Sequence, residues 1–171
     1  MVLKKVLFTL YIFIFTFNAI AQNNVTTRVI VKTGNYVEFY VNHLDDYENG
    51  MSLENYTTLQ IEYNDTVSGG IANPSGPGWE LNVRAMSASI ESIDSGETLP
   101  LDLVEFRVFH ESATNTFTLN STDTEIATGT DRVNYVADVI ISYDIGKTNP
   151  INIVSNERFV VELMFTIKTK D

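Results

Sequence analysis

Cysteine is absent from the chain, and histidine, tryptophan and proline are scarce, at two, one and four residues. Without thiols there is no disulfide, no thiolate nucleophile and no sulfur ligand for zinc. The histidines, His43 and His110, stand far apart in sequence, with no carboxylate at ligand spacing beside either. That argues against a catalytic zinc or a histidine base. Basic residues are also few, 11 against 22 acidic ones, for a net charge of −11. A chain so acidic does not offer the basic surface that nucleic-acid phosphates or anionic lipid headgroups require.

One long hydrophobic run exists. Lys4 and Lys5 precede an uncharged apolar stretch from Val6 to Phe17, followed by Ala19-Ile20-Ala21. A basic start, a short apolar run and a small-x-small site predict a secretory signal peptide over residues 1–21. The run is shorter than the roughly 20 residues that span a bilayer as a helix, and nothing later is as continuously apolar, so no transmembrane segment is expected after cleavage. The absence of a cysteine after the run argues against lipid attachment. These features predict an exported protein, periplasmic, at the cell surface or extracellular. The lack of disulfides in an exported chain points to a bacterial source. Asn-x-Thr triplets at Asn24, Asn55, Asn64 and Asn120 then read as polar turn residues, not glycan acceptors.

Residues 22–171 have the size of one domain. Two-residue alternation recurs along them between turn signals, and helical periodicity is scarce. Arg28 to Lys32 and Tyr36 to Val41 read as strands joined by a hairpin-like loop at Thr33-Gly34-Asn35. Asp45 to Asn55 reads as a polar loop. In Thr57 to Tyr63, Leu59, Ile61 and Tyr63 alternate with Thr58, Gln60 and Glu62. Gly and Pro break the pattern from Val67 to Gly78. Trp79, Leu81, Val83 and Ala85 then face one way and Glu80, Asn82 and Arg84 the other, as in a core strand. Strands are also expected over Ala88 to Ile93, Leu99 to His110 and Asn115 to Leu119, with room for a bulge between Leu101 and Phe106, where the alternation does not carry through. A polar stretch from Asn120 to Asp131 follows, then a last long pair, Val133 to Tyr143 and Phe159 to Ile167. Apolar outward positions on that pair, Val136, Ile140, Val160 and Met164, fit either a covered second face or a patch that meets another chain. The fold class is all-β: an antiparallel β-sandwich of eight or nine strands with Ig-like or jelly-roll connections.

No stretch carries the spacing that a known chemistry requires. Gly146-Lys147-Thr148 resembles the end of a phosphate loop, but Ile141 stands where its first glycine is needed and no helix follows. Asp94-Ser95-Gly96 lacks the flanking glycine of a serine-protease nucleophile segment, with Ile93 before it and Glu97 after it. The reading is therefore noncatalytic, with no cofactor. Asp45, Asp46 and Glu48, near Gly50, form the densest oxygen cluster, the sort of loop that takes a structural calcium ion, although its spacing fits no EF-hand. Trp79 is read as core. Tyr40 and Tyr63 are candidates for a sugar-stacking face, and Val160 and Met164 for a protein contact.

Gly78-Trp79-Glu80-Leu81-Asn82-Val83, followed by Leu99-Pro100-Leu101-Asp102-Leu103, resembles the W-x-L segment and next strand of WxL-type surface domains, and more loosely fimbrial and spore-coat-like β-sandwich subunits. A second W-x-L is missing, since Phe159 to Ile167 has no tryptophan. The resemblance implies a noncatalytic surface domain that associates with cell wall or with sibling subunits. The expected function is that of an adhesion-related or fimbria-like structural protein, with other surface proteins, sibling subunits or glycans as partners. The alternative is a carbohydrate-binding module.

Overall fold

A computed structural model describes residues 24–34, 36–131, 133–152 and 157–170. The expected signal segment, 1–21, lies outside them. Among the described residues there are thirteen strands, one short helix and one 3-10 turn, arranged as three antiparallel sheets with no closed barrel. The all-β, sandwich-like fold predicted from the alternation is what forms.

The first layer has the order β1 (Asn24–Thr33), β3 (Met51–Val67), β11 (Tyr135–Ile145), β8 (Val104–His110) and β9 (Ala113–Thr118). The two-residue β4 (Ile71–Ala72) pairs with the end of β3 through Gly69 and Gly70, both at positive φ. The other two sheets run β10 (Thr124–Gly129), β5 (Trp79–Ala85), β13 (Leu163–Thr169) and β2 (Val37–Val41), β12 (Glu157–Val161), β6 (Ser89–Ser92), β7 (Thr98–Pro100). They are continuous with each other. β12 passes into β13 at Glu162 and β5 into β6 through Met86, whose amide donates to the Glu162 carbonyl at 3.0 Å. Together they form the second layer.

The alternating rows meet between the layers, as burial of one face of each strand requires. Leu59, Ile61 and Tyr63 on β3, Val139, Ile141 and Tyr143 on β11, and Val104, Phe106 and Val108 on β8 are buried against Trp79, Leu81 and Val83 on β5 and Phe39 and Phe159 from β2 and β12. Phe39 stacks on Phe159 at 5.7 Å, and Phe106 meets Tyr143 edge-on at 5.5 Å, the geometries that aromatic quadrupoles favour.

Several expectations are corrected. β1 and β2 do not form a hairpin, because the chain crosses between layers at Gly34. Its φ is +62°, and a Cβ there would lie 2.5 Å from the Tyr56 carbonyl. Asp45 to Asn55 is not a loop: α1 (Leu44–Asn49) occupies it, and β3 begins at Met51. The Asp46 carboxylate accepts from the amides of Asn42 and His43, which starts that single turn. The slip near Leu101 is a 3-10 turn, Leu101–Leu103, and not a bulge. The polar stretch after Asn120 contains β10, and the last two long segments do not pair with each other, since β11 sits in the first layer and β12 and β13 in the second. These divisions, with the short β4 and β7, raise the count from eight or nine strands to thirteen.

Candidate functional site

Among the described residues, β1 is a ten-residue edge strand that ladders with β3 alone. Alternation aims Val25, Thr27, Val29 and Val31 toward the interlayer side, opposite Asp65, Tyr63, Ile61 and Leu59. The β3 partners are at most 1% exposed, yet Val25 and Val31 are each 40% exposed. The difference arises because the second layer reaches only as far as β13, which contacts β1 without covering its ends. The result, among the described residues, is a long edge with no strand beyond it, with Val25 and Val31 exposed and Val29 between them half-buried against the core.

The cations of β1 do not guard that edge. Arg28 pairs with Glu62 on β3 at 3.6 Å, and Lys32 reaches across β3 to Asp138 on β11 at 2.8 Å. Both lean back over the outer face of the sheet. Three of the other edges, β7, β10 and β9, are blunted in the usual ways. β7 is three residues long and ends in Pro100, β10 is bulged between Glu125 and Ala127, and β9 is mostly threonine and asparagine.

A second polar grouping lies on the outer face of the first layer. Asp144 on β11 accepts from Arg107 Nε at 2.5 Å, from Ser52 Oγ at 2.5 Å and from Lys147 Nζ at 2.9 Å, and Arg107 also reaches Glu54. Burial pushes the Asp144 carboxyl up, but hydrogen bonds from Arg107, Lys147 and Ser52 outweigh it and hold the group at about 2. Asp144 and Glu54 in turn raise Arg107. Ser52 Oγ is held between the two partners of an ion pair, donating to Asp144 and accepting from Lys147. The grouping is an ion-pair network that ties β3, β8 and β11 together beside the β3 irregularity, where Asn55 takes φ +49° and its amide donates to Ser142 Oγ.

A third grouping closes one end of the sandwich. Trp79 stacks on Tyr135 at 5.5 Å and meets the His110 ring edge-on at 5.4 Å. The Tyr135 hydroxyl donates to Glu111 at 2.9 Å and lies 3.2 Å from His110 Nε2. Burial, then Glu111, raises the Tyr135 pKa. Trp79 Nε1 and His110 Nδ1 are buried without hydrogen-bond partners among the described residues. Sequence reading passed over this carboxylate: Glu111, next to His110, has an oxygen 3.9 Å from its Nε2. An open groove of about 370 Å³ runs from here between β9 and β10.

The residues singled out from sequence are scattered. Asp45, Asp46 and Glu48 sit on α1, with Asp46 occupied by backbone amides and Asp45 accepting from the Asn49 side chain at 2.6 Å. Among the described residues no group of three or more His, Asp or Glu is placed to hold a metal ion. Tyr63 is 1% exposed and belongs to the core, so it cannot stack on a sugar. Tyr40 is exposed on the outer face of β2, opposite Arg158, and Val160 is half-buried opposite Glu38. Met164 is 37% exposed and accepts from Arg84 at 3.4 Å. Val160 and Met164 therefore share a face with charged neighbours. The β1 edge was missed because Val25, Val29 and Val31 carry the same alternation as any core row. No family model matches the sequence, no curated protein matches it, and no solved structure matches its fold.

Proposed function

We propose that this chain is an exported, surface-associated structural protein of the fimbria-like or adhesion-related kind, noncatalytic, which works by pairing a sheet edge with other surface proteins or sibling subunits. The observation that carries the reading is β1: ten residues, unpaired along one side among the described residues, with Val25 and Val31 uncovered on its inner face. A long unpaired edge is a template for another strand, and folds that do not use such an edge usually shorten, bulge or charge it. The short likeness to WxL-type and fimbrial segments around Trp79 and Leu81 supports the same class. Both residues are fully buried in β5, so the likeness bears on the sandwich core and not on a contact surface.

The test is light scattering during size-exclusion chromatography of residues 22–171 over a wide concentration range. The reading predicts concentration-dependent association that disappears in the Val25→Lys, Val31→Lys double variant while its circular dichroism stays unchanged. A strict monomer up to millimolar concentration would count against it. The carbohydrate-binding alternative rests on Tyr36 and Tyr40, both exposed near Arg158. It predicts glycan-array binding that Tyr40→Ala removes, and an array with no signal ends it.

A further inference from the structure

We propose that the groove between β9 and β10 is a binding site for a neutral saccharide of one or two pyranose rings, held by the Phe117 ring, the Asn115 amide and the Glu111 carboxylate. The site lies on a different surface from β1 and does not depend on the pairing of that edge.

The groove exists because two strand edges diverge. The chain leaving β9 is bonded to both layers at Leu119 and Asn120 and enters β10 at Thr124, which joins the edges at one end. The β8–β9 turn at Glu111 and Ser112 stands at the other end of β9. Along β9, Asn115 and Phe117 lie opposite Val108 and Phe106, which are buried between the layers, so both occupy the interlayer side of the strand. Yet Asn115 is exposed and Phe117 only half-buried, because the space before them, about 370 Å³, is open to water. That volume is at the lower end of small-ligand sites. The bulge in β10 between Glu125 and Ala127 disfavours addition of a peptide strand, so an occupant meets side chains and not a free ladder.

Three features select its chemistry. Glu111 has φ +55°, in a two-residue turn between His110 and Ala113 where glycine or asparagine is the ordinary choice. The strain is kept at a position whose carboxylate lines the groove, and the Tyr135 hydroxyl donates to that carboxylate while leaving acceptor capacity free. Next, among the described residues no Lys or Arg lines the groove, and Lys170 beside it is taken up by Glu125 at 3.9 Å and the Thr128 hydroxyl at 3.2 Å. A phosphate, sulfate or carboxylate therefore finds no free cation. Finally, a carboxylate 65% exposed holds an ammonium only through a solvent-screened pair, worth less than about tenfold in affinity. A sugar uses all that is present: its hydroxyls donate to Glu111 and pair with the Asn115 amide, and its C–H face covers Phe117.

Trp79, the single tryptophan, meets the groove residue His110 edge-on, so its fluorescence reports occupancy. Residues 22–171 are titrated with glucose, galactose, cellobiose and diacetylchitobiose up to about 50 mM, with glucosamine and glucose phosphate as charged counterparts, following Trp79 emission and amide NMR shifts. At least one neutral sugar should bind saturably, with shifts centred on residues 110–117 and 125–128, and glucose phosphate should not. Glu111→Asn suits the turn, so it should keep or raise Tm while weakening binding about tenfold. Phe117→Leu, which keeps apolar bulk without a flat face, should weaken binding to a similar degree, and Phe117→Tyr and Tyr40→Ala should leave it intact. No saturable binding by any neutral sugar would overturn the proposal. Glucosamine binding more than about tenfold tighter than glucose would make the groove a cation site instead. Binding that survives both Glu111→Asn and Phe117→Leu, or that Tyr40→Ala removes, would place the sugar on another surface. None of these results touches the β1 reading, which light scattering tests separately.

Discussion

The two open sides of the sandwich are finished differently. On the side of β9 and β10 the chain leaving β9 is bonded to both layers: the Leu119 amide extends the β8–β9 ladder by donating to the Val104 carbonyl, and the Ala85 amide of β5 donates to the Asn120 carbonyl, both at 2.9 Å. Trp79, Tyr135 and His110 pack beneath, and Gly129 lies so close to the indole that a Cβ there would sit 2.7 Å from it. On the side of β1 and β13 the layers contact each other, but β1 overhangs and Val25 and Val31 stay exposed on either side of the half-buried Val29. One side is a hydrogen-bonded seam with a surface groove between β9 and β10, and the other is an unfinished edge. Changes on the seam should cost stability, and changes on the edge should cost association.

The largest effect is expected at the seam. Trp79→Ala removes a fully buried indole and should cost about 3–5 kcal/mol, read as a lowered denaturation midpoint in urea. A loss below about 1 kcal/mol would mean that the end of the sandwich is not packed as described. Next comes the Asp144 network, which belongs to neither side and reports on the first layer as a whole. The carboxyl lies at about 2 in the folded chain, below its ordinary value, so its contribution is fully present above about pH 4 and is lost as pH falls through 2. Asp144→Asn should remove on the order of 2 kcal/mol at neutral pH and flatten stability between pH 4 and 2. An unchanged acid profile would contradict the network.

Much of the seam was legible in the sequence, because strict alternation in Trp79 to Ala85 and at Val139, Ile141 and Tyr143 reports burial between two layers directly. β10 was not, since Thr124 to Gly129 is short and rich in threonine and small residues and reads as a polar connection. The ion-pair network was invisible because Ser52, Arg107 and Asp144 come from three strands whose neighbourhood is set only by sheet order. The edge was misread for a related reason: whether a valine row is covered depends on where the opposite layer ends. That is a tertiary fact with no local signature.

Smaller effects sharpen the edge itself. Val25→Lys with Val31→Lys should change monomer stability by no more than about 0.5 kcal/mol per site, as exposed substitutions do, while abolishing association in sedimentation velocity. A large loss of stability would show that β1 is covered in the monomer after all. Smallest of all is Met164→Lys, on the outer face beside Arg84, which should leave association unchanged in the same measurement. A marked loss there would move the contact to the outer face of β12 and β13.

The most direct test of the edge as the contact surface is amide hydrogen exchange of residues 22–171 at low and high protein concentration. The account predicts that protection rises with concentration along residues 24–33 and nowhere comparable on β9 or β10. Protection gained at β9 and β10, or gained nowhere while the chain associates, would contradict it.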